Sequence, residues 1–149
     1  MVVECVSNNP KEAEQTARYL GVGSGSNLSE FPITVGKTYT VYGISEIKES
    51  QKLYLILDDD QTEGDYPLIK TDDYEPVWYD SNLFRVADES LDPQWQTMPG
   101  TMWTNTGKTV SFPEFIKDGR RFYAELLDGD IERVRTFSRY ITKYTSTQA

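Results

Sequence analysis

The residues of this chain whose number and spacing best suit chemistry are its carboxylates. Of its 149 residues 24 are Asp or Glu, and none is histidine. That removes the commonest general base, the usual zinc ligand and every Ser-His or Cys-His nucleophile arrangement. Cys5 is the only cysteine. With no histidine beside it, it reads as a small buried residue rather than a nucleophile. No internal disulfide can form, which suits a reducing compartment. The acids are concentrated: Glu46 to Asp92 holds 14 acids and 4 bases. Within that segment LYLILDDDQTEGDYP (53–67) ends an apolar run on Asp58-Asp59-Asp60. TDDYEP (71–76) repeats the pattern just before Trp78, Tyr79 and Asp80.

Four readings of these acids compete. A calcium loop fails on register. Starting at Asp58 puts Glu63 where the turn needs glycine and Ile69 where the last ligand should be glutamate. Starting at Asp59 restores Gly64 but places Gln61 and Lys70 at ligand positions. A carboxylate pair of the glycosidase kind would need one acid kept protonated beside one ionised, and nothing in the sequence marks such a pair. A solvated turn is the plain alternative. A purpose-built interface is the reading favoured here, because the acids recur and are interleaved with aromatics. Asp58, Asp59, Asp60, Glu63, Asp65, Asp72, Asp73, Glu75 and Asp80 would steer a basic partner, and Trp78 and Tyr79 would supply contact area. Tyr66, Tyr74 and Trp78 also fit a core.

Charge narrows the partner. Residues 1–111 carry 18 acids against 8 bases, and residues 112–149 carry 6 against 7. Such a field repels phosphate backbones, so nucleic acid is disfavoured despite Arg120, Arg121, Arg133, Arg135 and Arg139. No apolar run reaches the roughly 20 residues that span a bilayer. MVVECVSNNPKE lacks the basic start and apolar core of a secretory signal, so a cytoplasmic location is expected. No metal and no cofactor is implied.

The elements that must position these residues follow from pattern. VVECVS (2–7) predicts a short strand. Asn9-Pro10 predicts a helix start, continued by KEAEQTARYL and ended by Gly21. GVGSGSN (21–27) is a flexible linker, without the spacing of a phosphate-binding loop. ITVGKTYTVYGI (33–44) predicts strands around a Gly36-Lys37 turn. KLYLIL (52–57) predicts a strand buried on both faces. DYPLIKTDDYEPVWYD (65–80) predicts short strands around turns, and LFRVAD (83–88) predicts another. Residues 91–109, with Trp95 and Trp103, predict an ordered loop or strand pair. Ser111 and Pro113 predict a helix start. Asp130 predicts an N-cap for IERVRTFSRYITKY, whose Ile131, Val134, Phe137, Ile141 and Tyr144 form one apolar stripe.

On these residues, 33–88 resembles an SH3-type barrel. ITVGKTYTVY is similar to the opening strand motif of that family. Ser81, Asn82 and Leu83 match its closing turn, while Asp80 stands where the family has proline. The Ala-Leu-Tyr-Asp-Tyr motif is absent, and LYLI replaces the family's Trp-Trp pair, so proline-rich peptide binding is not implied. The layout is also loosely similar to small acidic bacterial immunity-type proteins. The expectation is one α+β domain over 1–149: an N-terminal strand, helix and linker (1–27), a β-rich core (31–110) containing a small SH3-like antiparallel β-barrel, and a C-terminal helical segment (111–149). The expected function is non-catalytic docking on a basic protein, most sharply as an immunity or inhibitor protein against a toxin such as a nuclease. The alternatives are a small carboxylate enzyme acting on a sugar or nucleotide, and an SH3-like adaptor with Tyr54, Trp78 and Tyr79 exposed along a groove.

Overall fold

The computed structural model describes residues 1–13, 30–49, 51–59 and 75–148. These form a mixed α+β arrangement of two antiparallel sheets followed by three helices. In the three-stranded sheet, β1 (Val2–Cys5) lies between β2 (Thr38–Thr40) and β6 (Phe84–Asp88). The five-stranded sheet runs β5 (Val77–Asp80), β4 (Gln51–Ile56), β3 (Gly43–Lys48), β8 (Lys108–Ser111), β7 (Gln96–Pro99).

Two short connections join the sheets. Only Val41 and Tyr42 separate β2 from β3, so one β-branched and aromatic stretch passes from the first sheet into the second. The return runs through a single 3-10 turn, Ser81–Leu83, between β5 and β6. Asp80 starts that turn, its carboxylate accepting the Asn82 amide at 2.8 Å. The predicted turn before β2 is present. The Lys37 amide reaches the Thr34 carbonyl at 3.0 Å, and Gly36 has φ +91°, a conformation that favours glycine.

β4 is an interior strand buried on both faces, as its apolar run predicts, and it serves two cores. Period-2 alternation sends Leu53 and Leu55 to one face and Tyr54 and Ile56 to the other. The first face packs on the helices with Phe112, Phe115, Phe122 and Phe137, all fully buried. The second packs with Val3, Cys5, Val41, Leu83 and Phe84 of the smaller sheet. Each such side chain stabilises by roughly 1.5–3 kcal/mol relative to exposure.

The helices begin at α1 (Pro113–Asp118), with Pro113 in the first turn. Ser111 does not cap it. That residue ends β8, and its hydroxyl donates to the Tyr42 carbonyl at 2.7 Å, leaving Phe112 at the cap position. Gly119, at φ +51°, turns the chain into α2 (Arg120–Leu127). Asp130 caps α3 (Ile131–Gln148) as predicted, accepting the Arg133 amide at 3.1 Å. On α3 Val134, Phe137 and Tyr144 are buried and Ile141 is half-buried, but Ile131, in the first turn, is 62% exposed.

Two expectations change. The described residues make no closed barrel. The β7–β8 hairpin adds to the free side of β3 and widens that sheet to five strands instead of letting it close. The N-terminal helix is described only as one 3-10 turn, Pro10–Ala13, and the rest of that segment, like the linker at 21–27, lies outside the described residues. No helix among them is long and apolar enough to cross a membrane.

Candidate functional site

β4 and β5 are adjacent, with Ile56 opposite Val77. The acidic connection between them therefore leaves and re-enters the sheet at one end. Its two bases are tied to the fold. Asp58 is 3% exposed, and its Oδ2 accepts the Tyr79 hydroxyl at 2.7 Å. Asp59 makes the largest set of contacts. Its Oδ1 accepts Lys37 Nζ at 2.9 Å and the Tyr39 hydroxyl at 2.8 Å, its Oδ2 accepts the Thr34 hydroxyl at 2.6 Å, and its amide donates to the Pro32 carbonyl at 2.9 Å. On the returning side the Tyr123 hydroxyl donates to the Pro76 carbonyl at 2.9 Å.

The electrostatics agree with these contacts. Burial alone would raise the Asp59 carboxyl, but the bonds from Thr34, Lys37 and Tyr39 and the Lys37 charge outweigh it and hold the group below its usual range. Burial, followed by the Asp59 carboxylate as acceptor and neighbour, pushes Tyr39 up to about 12 despite the opposing Thr34 amide. Burial also raises Tyr123, helped by the negative charges of Glu75 and Asp58.

The residues expected to form an interface thus separate into groups. Asp60, Glu63, Asp65, Asp72 and Asp73, with Tyr66 and Tyr74, lie outside the described residues. Glu75 is exposed. Asp58 and Asp59 anchor the loop rather than project free charge. Asp80 is 2% exposed and caps a turn. Trp78 and Tyr79 are 2% and 5% exposed, so they cannot offer contact area in this conformation. Trp78 packs edge-on to Trp103, Phe115 and Tyr123, and Tyr79 packs edge-on to Phe31 and Phe84. The reason is alternation: on β5 both are drawn inward, one to each core, because β4 beside them is buried on both faces. Tyr54 is buried too, so the exposed groove of the adaptor reading is not present.

Most arginines of the basic exception are already matched. Arg120 donates to the Thr101 and Thr104 carbonyls at 2.8 and 2.5 Å. Arg121 pairs with Glu125 at 2.7 Å. Arg133 reaches Asp118 at 2.8 Å and Glu125 at 3.4 Å, over the Phe122 ring. Arg135 lies 3.9 Å from Glu132. Among the described residues no group of three or more acids or Cys is placed to hold a metal ion.

Sequence reasoning missed two constellations. The Thr34–Lys37–Tyr39 cradle for Asp59 joins positions some twenty residues apart and has no local signal. The second is an aromatic stack in which Phe112, Tyr140, Tyr144 and Trp95 follow one another. Only the four-residue spacing of Tyr140 and Tyr144 hinted at it. No protein-family model matches this chain, and neither a curated protein nor a solved structure matches it.

Proposed function

We propose that the protein is a non-catalytic binding protein that presents the acidic β4–β5 connection to a basic protein partner. The supporting observation is the way that connection is anchored. Residues 60–74 carry five acids and one base. They spring from a base held by Asp59 with Lys37, Thr34 and Tyr39 on one side and by Tyr123 with Pro76 on the other. A fixed base lowers the entropy lost when a charged segment docks. The charge steers association, and Asp60, Glu63, Asp65, Asp72, Asp73 and Glu75 supply it. Asp58, Asp59, Trp78, Tyr79 and Asp80 act as support where the connection joins the sheet.

The sharpest form is an immunity or inhibitor protein that covers a nuclease toxin. A nuclease needs a basic cleft to hold phosphate, and an acidic protein imitates that phosphate. The order of elements supports an SH3-like relationship. A first strand, a strand bent between two sheets, two hairpin strands, a 3-10 turn and a strand returning to the first follow in that order, with the β7–β8 hairpin and three helices added. The test is a charge reversal of Asp60, Glu63, Asp72 and Asp73 to Lys, which leaves the anchors intact. The association rate with the basic partner should fall by at least about tenfold and lose most of its salt dependence. Unchanged association would remove the acidic connection from the interface.

A further inference from the structure

Where α3 passes the β6–β7 connection and the start of α1, a cavity of about 180 Å³ opens whose walls carry opposite charges. Arg139 and Lys143, one turn apart on α3, line it together with Asp92 from the β6–β7 connection, Glu114 of α1 and Tyr140. The floor is fixed. The Tyr140 ring stacks on Phe112 at 4.0 Å on one side and on Tyr144 at 5.3 Å on the other. Its hydroxyl accepts Trp95 Nε1 at 2.5 Å and donates to Asp92 Oδ2 at 3.1 Å. The second oxygen of Asp92 accepts the Gln94 amide at 2.9 Å, so that carboxylate is held in one orientation.

The cations of this cavity differ from their neighbours. Arg121, Arg133 and Arg135 are each within ion-pair distance of a carboxylate. Among the described residues Arg139 and Lys143 make no ion pair, and Arg139 has only a long 3.4 Å contact with the Thr136 hydroxyl. Glu114 likewise makes none. Two cations and two anions therefore line one cavity with no ion pair between them among the described residues.

We propose that this cavity binds a small zwitterion, a free α-amino acid. Its carboxylate lies between Arg139 and Lys143 and its ammonium between Glu114 and Asp92. A simple anion would meet two carboxylates, and a simple cation would meet Arg139 and Lys143; only a molecule carrying both charges satisfies both pairs. Size sets the class. At about 180 Å³ the cavity is smaller than the roughly 300–1,000 Å³ of drug-sized sites, which favours a small molecule. Both faces of Tyr140 are already covered, which leaves no platform for a base or sugar. The walls are partly solvated, so a Kd of about 1 mM is expected. None of this depends on the acidic β4–β5 connection.

The test is an NMR titration of the full chain at constant ionic strength with L-alanine, and separately with acetate and methylamine. The reporter is the Trp95 indole N–H, which touches the floor directly. Alanine should shift it saturably and leave the Trp78 and Trp103 indoles in place. Acetate and methylamine should each bind about tenfold or more weaker. Arg139→Gln and Glu114→Gln should each weaken alanine by about tenfold while melting with the wild type. Two results overturn the proposal: no saturable shift up to about 50 mM alanine, some fifty times the expected Kd, or acetate binding as well as alanine with Glu114→Gln without effect.

Discussion

Replacing Asp59 tests the anchoring of the acidic connection most sharply. Asp59→Ala removes one ion pair and two hydroxyl bonds, those from Lys37, Thr34 and Tyr39, to a carboxylate whose side chain is 17% exposed. A fully exposed pair would contribute at most about 1 kcal/mol. Bonds to a charged group contribute about 1.5–3 kcal/mol each, but three that share one carboxylate do not add. A loss of about 2–3 kcal/mol is expected, a fall of roughly 4–12 °C in Tm for a chain of this size. Asp59→Asn keeps an acceptor and the shape, and should lose about half as much. Because the folded carboxyl is held below its usual range, its contribution is present above the unfolded pKa of about 4 and fades as pH falls through the lower folded value. Urea melts of wild type and Asp59→Asn should therefore differ at pH 6 and converge toward pH 3. Equal stability at pH 6, or a gap that widens in acid, would refute the assignment of Asp59 as the anchor. Arg85→Ala is the control: its pair with Glu4 is 68% exposed on the arginine side and should matter by less than about 0.5 kcal/mol.

Other consequences are open to measurement. Phe112→Ala empties the junction of Phe115, Phe122, Phe137 and Tyr140 and should cost about 3–5 kcal/mol in a urea melt. Gly107→Ala should destabilise by about 2 kcal/mol or more, since φ is +84° and the added methyl would run into the Glu46 carbonyl oxygen. Burial, then nearby Asp92 and Asp88, pushes Tyr144 up to about 12, and Tyr39 shares that value, so both stay protonated when ordinary tyrosines ionise. Their contribution is intact below pH of about 10 and is lost as pH rises toward 12, so an ultraviolet titration should show delayed ionisation with unfolding. Full native ionisation near pH 10 would contradict the burial.

Much of the fold was legible because period and burial coincide. KLYLIL is apolar at successive positions, and only a strand with a core on each face uses it that way; β4 does. The α3 stripe and its Asp130 cap are local; the cap is present, and the stripe is buried at Val134, Phe137 and Tyr144 but not at Ile131. Trp78 and Tyr79 show the limit. Adjacent aromatics beside acids have the composition of an interface, yet on a strand with cores on both faces each finds a buried place. Burial of that kind is decided by β4 and the helices, not by neighbours in sequence. Asp59 was legible as charge but not as anchor, because Thr34, Lys37 and Tyr39 reach it through a turn some twenty residues away. The β7–β8 hairpin was legible only as turn chemistry, and its pairing with β3 turned an expected barrel into a wider sheet.

The central claim is that the acidic connection docks on a basic protein. The direct measurement is a low-salt capture from the native host's lysate with tagged wild type beside the Asp60, Glu63, Asp72 and Asp73 to Lys variant, eluted by rising salt and read by mass spectrometry. That variant moves the formal net charge from −9 to −1 while leaving Asp59 in its cradle. One stoichiometric basic protein, released by salt, absent from the variant and re-forming a complex when purified, is the result predicted. The same proteins on both baits, or none on either, would contradict the account.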